Sequence, residues 1–130
     1  MKLSLLSEYA LLSLIHVARQ SDTPATSSSI QTSQQVPFEM LNEILVTLVN
    51  ARYLRLPKGS FYLARPADKI HVIDIIRLFD GALAPIEPVS EKGYQPAPME
   101  REEKLTDLFS QLQSQIIGKL ENTSLADLIY

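Results

Sequence analysis

The chain has 130 residues, 45% apolar and 21% charged, which is room for one domain with a buried core and excludes an intrinsically disordered sequence. It contains no cysteine, so disulfides, thiolate metal sites and thiol nucleophiles are excluded. A net charge of −3 excludes a uniformly basic nucleic-acid binder, and only an uneven distribution of charge leaves that partner open.

Residues 5–20 read as a first helix. Ser4 is its N-cap, Glu8 lies near the positive end of the dipole, and Leu6, Ala10, Leu14, Val17 and Ala18 recur at helical spacing. Leu5, Tyr9, Leu12 and Ile15 form a second apolar face, as expected of a helix with two partners. The uncharged run Tyr9–Ala18 is too short to cross a bilayer, and no signal-peptide cleavage pattern follows it. The expectation is a soluble cytoplasmic protein with no membrane role. After a loop with Pro24, residues 27–35 are a short helix candidate of modest propensity anchored by Ile30.

Val36-Pro37 interrupts that segment and opens a third helix over about 38–51, marked by Phe38, Leu41, Leu45, Leu48 and Val49. Tyr53–Leu56 and Phe61–Ala64 flank the turn Pro57-Lys58-Gly59-Ser60 and read as a tight β-hairpin. Val72–Asp80 is apolar at helical spacing, with Gly81 placed as a C-terminal cap. Residues 82–98 hold Pro85, Pro88, Gly93, Pro96 and Pro98 and read as a loop. A long helix then runs from about Met99 to Asn122, with Glu100, Glu102 and Glu103 as an acidic first turn. Its stripe of Leu105, Leu108, Phe109, Leu112, Ile116 and Leu120 is more than a small domain needs for itself. A second copy of the chain is the natural partner, with Leu5 and Leu12 of the first helix as further contacts.

The expected fold is therefore mainly α with a small β-hairpin wing. A winged helix-turn-helix DNA-binding domain occupies residues 1–81, a proline-rich linker 82–98, and a dimerisation helix with the C-terminal tail 99–130. In such a domain the second helix of the helix-turn-helix enters the major groove. Charge is distributed to match: residues 1–80 hold 8 Lys/Arg against 7 Asp/Glu, and residues 81–130 hold 4 against 8. Arg52, Arg55, Lys58, Arg65 and Lys69 fall within eighteen residues, opposed only by Asp68. This is a phosphate-holding patch or, on composition alone, an ordinary solvated hairpin.

The residues also resemble the bacterial Rrf family of winged-helix regulators, which includes IscR, NsrR and CymR. Met1-Lys2-Leu3-Ser4 and Tyr9-Ala10-Leu11 are similar to its first helix, and Val36 to Leu45 to its turn and recognition helix. Tyr62-Leu63-Ala64-Arg65-Pro66, Ile75 to Gly81 and Leu125-Ala126-Asp127-Leu128 match the wing exit, the following helix and the closing segment. The resemblance implies a homodimer on double-stranded DNA, acting as a transcriptional regulator and by family habit a repressor. Carried over by position, Phe38, Glu39, Met40, Asn42 and Glu43 are base-reading candidates. Lys2, Arg52, Arg55, Lys58 and Arg65 are candidates for phosphate contacts.

The sequence departs from the family in three ways. Residues 82–103 lack the cysteines of its iron–sulfur members, so no cofactor is expected and sensing through a cysteine-ligated cluster is lost. The wing is about three residues short of the usual glycine-rich loop and should reach less far into a groove. Residues 38–51 hold two glutamates and no Lys or Arg, so the helix can read bases but cannot supply the electrostatic attraction. Met40 and Phe38 either touch thymine methyls or pack on the preceding helix. His16 and His71 are too far apart in the sequence for a convincing metal pair, and His71 is expected to cap or pack a helix start. No catalytic constellation is present, so an enzyme is not expected. Two alternatives remain. One is a family variant gated by a small molecule or partner protein near 82–98, where Tyr94 lies. The other is a dimeric interaction protein that has lost DNA binding.

Overall fold

In the computed structural model, residues 3–20, 23–81 and 98–129 are described. Lys2 and residues 82–97, which include Tyr94 and all but the last residue of the expected linker, lie outside them.

Helix α1 (Leu5–Arg19) begins where Ser4 Oγ accepts from the Ser7 amide at 3.1 Å. The same serine donates from its amide and hydroxyl to the Asp80 carboxylate, which ties the start of α1 to the end of α4 (Val72–Asp80). Ser7, Ala10, Ser13, Leu14 and Val17 form its buried face. Three of these are small, which lets the backbones of neighbouring helices come close, and α1 becomes the axis on which α2, α3, α4, α6 and the hairpin pack. Tyr9 and Ile15, expected on a second apolar face with a separate partner, pack against the same core, while Leu5 is exposed and Leu12 half-buried.

Helix α2 (Ser27–Gln34) has a weak sequence and a strong start. Thr26 and Ser29 exchange side-chain and backbone hydrogen bonds at 2.9 and 3.0 Å, satisfying two amides that the helix itself leaves unpaired. His16 Nε2 lies 3.0 Å from Ser29 Oγ and links α1 to this cap. Gln35 is left-handed, with φ 54°, and ends α2, so the chain turns through Gln35-Val36-Pro37 into α3 (Phe38–Asn50). Val36 is buried in the turn, as are Leu41, Ile44, Leu45 and Leu48 on the inner side of α3.

The wing is smaller than its sequence suggests. Strands β1 (Leu54–Arg55) and β2 (Tyr62–Leu63) pair antiparallel as Leu54 with Leu63 and Arg55 with Tyr62. A 3-10 turn over Pro57–Gly59 connects them, with Lys58 left-handed at φ 54°. Phe61 instead bridges Ala25 through a 2.8 Å bond from its amide, and its buried ring anchors the wing to the core.

Helix α5 (Glu103–Glu121) follows a 3-10 turn at Pro98–Arg101 and has no buried residue along its length. Its C-terminal end returns to the domain: Ile117 and Leu120 pack against Ile73 and Ile76 of α4. Leu120, expected in the dimer stripe, therefore contributes to an intrachain cluster. Residues beyond it form a strap, with the Val72 amide donating to Thr123 at 3.0 Å and the Leu125 amide donating to Ile70 at 2.8 Å. Helix α6 (Leu125–Ile129) then packs on α1, and Leu125 joins the main core. The tail grouped with the dimerisation helix on sequence grounds thus completes the core of the winged-helix unit.

Candidate nucleic-acid interface

Helix α3 turns its outer side to solvent beside the wing. Phe38 is 65% exposed and Val46 52%, and Glu39, Asn42, Glu43 and Asn50 are exposed with them. These positions recur at three- and four-residue spacing, so they form one face along the helix. Met40 is half-buried and packs against the core, whereas Phe38 is exposed. Val46 and Asn50 were missed by the sequence reading, although the same periodicity extended by one and two turns would have found them. Asn42, Val46 and Asn50 line an open cavity of about 300 Å³ that reaches Leu56 and Phe61 of the hairpin and holds no charged residue.

The cations frame this face rather than occupy it. Arg52 lies just beyond the helix, in a C-terminal cap closed by the Arg52 amide on Val49 at 3.0 Å and the Tyr53 amide on Leu48 at 2.9 Å. That motif needs a left-handed residue at position 52, and an arginine with φ 65° fills it where glycine is usual. Arg55 projects from β1 with its guanidinium 4.9 Å from the Tyr62 ring centre, and Lys58 stands exposed at the tip of the wing. Arg52, Arg55 and Lys58 make no ion pair with the described residues.

Arg65 has a different position from the one its motif implied. Its Nε donates to the Arg52 carbonyl at 3.0 Å and its Nη2 to the Ala51 carbonyl at 3.2 Å, while the guanidinium lies 4.2 Å from the Tyr53 ring centre. It thus clamps the exit of the wing onto the negative end of α3, and two of its N–H groups are engaged before any ligand arrives.

His71 precedes α4 as its N-cap residue, but its side chain makes no capping bond; it faces Asp74 at 3.9 Å. His16 is buried, and burial lowers its pKa below the ordinary value of 6.5. Asp80 is also lowered: burial pushes it up, but the hydrogen bonds from Ser4 outweigh that and favour the carboxylate. On α5, Leu105, Leu108, Phe109, Leu112 and Ile116 are each between 36% and 50% exposed and form a continuous uncovered stripe.

A family profile described as iron-dependent transcriptional regulators, Rrf2, matches residues 3–130. The chain belongs to the Rrf2 family. It is 30% identical over 132 residues to a proposed HTH-type transcriptional regulator of Mycobacterium tuberculosis, covering 98% of this chain and 80% of that one. It is 26% identical to the HTH-type transcriptional regulator CymR of Bacillus subtilis, covering 98% and 89%. The solved structure of B. subtilis CymR superposes with a TM-score of 0.79 at 24% identity, over 99% of this chain and 96% of that one. IscR of T. potens gives 0.71 at 20%, over 99% and 86%. The winged-helix fold expected from the sequence is therefore that of its Rrf2 relatives.

The iron in the family's description finds no matching donor set here. The sequence has no cysteine, and among the described residues no group of three or more His, Asp or Glu side chains could hold a metal ion. His16 faces Ser29, and His71 is held elsewhere at the head of α4. These residues do not fit a cysteine-ligated iron–sulfur cluster. Among the described residues no helix is long and apolar enough to cross a membrane.

Proposed function

We propose that this Rrf2-family member is a cytoplasmic, homodimeric, sequence-specific DNA-binding repressor that does not sense through a cysteine-ligated cluster. The observation that carries the reading is the solvent-facing side of α3 flanked by Arg52, Arg55 and Lys58, cations that no carboxylate of the described residues neutralises. Phe38, Glu39, Asn42 and Glu43 face base edges; Arg52, Arg55 and Lys58 hold phosphates, with Lys2 as a further candidate. Arg65 serves the interface by fixing the wing against α3.

The uncovered stripe on α5 supports the dimer. A monomer would leave five large apolar side chains in water on a helix that buries none of its own residues. Two copies crossed through α5, with Leu5 and Leu12 adjoining, would present two recognition helices about one turn of DNA apart. Repression then needs only occupancy of a promoter.

The test is selection of random and genomic DNA by the purified protein at moderate salt. A two-fold symmetric motif is expected, bound with a steep salt dependence. Arg55→Glu should weaken binding to every sequence by at least about tenfold, because it removes one phosphate contact and adds a repulsive charge. Unchanged affinity would show that the wing does not touch DNA. No enriched motif at all would favour a dimeric interaction protein, a reading to which the absence of cations from α3 already lends some weight.

A further inference from the structure

The outer face of α3 has a composition with consequences for which bases it can read, and this inference rests on the DNA-binding reading above. From Phe38 to Asn50 the helix carries no arginine or lysine, so it lacks the side chains that donate two hydrogen bonds to guanine O6 and N7. What it exposes instead falls into three chemical kinds. Asn42 and Asn50 carry amides, whose paired donor and acceptor match adenine N7 and N6. Phe38 and Val46 carry exposed apolar surface suited to the thymine methyl. Glu39 and Glu43 can only accept, and in the major groove they match cytosine N4 while repelling the acceptor edge of guanine.

The geometry adds to the composition. Asn42, Val46 and Asn50 share the cavity that runs toward Leu56 and Phe61, and every residue lining it is uncharged. A methyl group entering there meets Val46 and apolar wing surface. The guanine edge would instead lose water from O6 and N7 without a cationic donor in return. Arg52, the first cation after α3, stands two residues past Asn50, beyond the C-terminal cap, and does not line this cavity.

We propose that α3 reads adenine, thymine and cytosine and leaves guanine without a cationic side-chain donor, with Val46 and Asn50 joining Asn42 as specificity-determining residues. G·C pairs under α3 are then recognised from their cytosine, and the rest of the site is read as A·T.

Base-analogue substitution in the best selected site tests this with the full-length protein. Replacing thymine by uracil or adenine by 7-deazaadenine beneath α3 should each weaken binding about tenfold at one or more positions, the range of a lost base contact. Replacing guanine by 7-deazaguanine beneath α3 should leave affinity within about twofold, because no contact to N7 is lost. Val46→Ala, at an exposed position where folding is not at risk, should relax the thymine preference at one step and leave the salt dependence unchanged. A tenfold loss with 7-deazaguanine, or a Val46→Ala protein with unaltered selectivity, would overturn the assignment while leaving DNA binding intact. Failure to enrich any sequence would remove the broader reading as well.

Discussion

Replacement of Arg65 by alanine separates a structural clamp from a DNA contact. Its guanidinium spans the Ala51 and Arg52 carbonyls at 3.2 and 3.0 Å and stacks 4.2 Å from the Tyr53 ring centre. A cation at an exposed helix C-terminus contributes about 0.3–1 kcal/mol, and an exposed cation–π contact about 0.5–1 kcal/mol. The side chain is exposed, so solvent screens both and the lower ends of the ranges apply. Arg65→Ala should therefore destabilise the free protein by about 0.8 kcal/mol, or about 2–4 °C in Tm for a domain of this size. Arg65→Lys should recover less than half, because lysine keeps the charge but not the planar fork that reaches two carbonyls. Urea unfolding followed by far-ultraviolet circular dichroism measures both variants without DNA. An unchanged midpoint for Arg65→Ala, together with weaker DNA binding, would refute the clamp and return Arg65 to the phosphate contacts.

Arg52→Gly should act in opposite directions on stability and on binding. Glycine adopts φ 65° without penalty, so the free protein should gain about 0.5–1 kcal/mol, while loss of the cation should weaken DNA binding and flatten its salt dependence by about one unit; a destabilised variant would contradict the cap geometry. Leu112→Glu places a charge in the middle of the uncovered α5 stripe and should convert the dimer to a monomer in light scattering at micromolar protein, with helix content kept. A dimer that survived this change would have to be held elsewhere. His16 fixes the sign of one pH effect: its folded pKa lies below 6.5, so the unfolded chain takes up the proton first as pH falls. Stability should be complete above about pH 7 and decline from pH 6.5 toward the folded pKa, a loss that His16→Gln should abolish in urea midpoints measured at pH 7.5 and 5.5.

The helix-turn-helix was legible because local signals agree with the packing. Ser4 caps α1, Pro37 starts α3, and Leu41, Leu45 and Leu48 recur at the period that a helix buries on one side. The α5 stripe was legible for the same reason, since a surplus of apolar side chains is visible before any partner is known. Where the structure adds to the sequence pattern, partners distant along the chain made the difference. Leu120 continues the helical spacing of its neighbours, yet it packs against Ile73 and Ile76 within the chain. Arg65 stands in a wing motif, yet its nearest acceptors are carbonyls at the end of a helix thirteen residues earlier. Phe61 alternates like a strand residue, yet it pairs with Ala25 and shortens the hairpin to two pairs.

By itself, then, the sequence determined the order of the main elements, the absence of thiol chemistry and the separation of the candidate base-reading side chains from cations. All three depend on residue identity and on spacing within a few turns. Only the tertiary structure decided that Met40 packs inward, that Val46 and Asn50 extend the exposed face, and that residues 123–129 return to complete the core. Such decisions depend on which distant segment covers a given surface, and local periodicity says that a face is apolar without saying what lies against it.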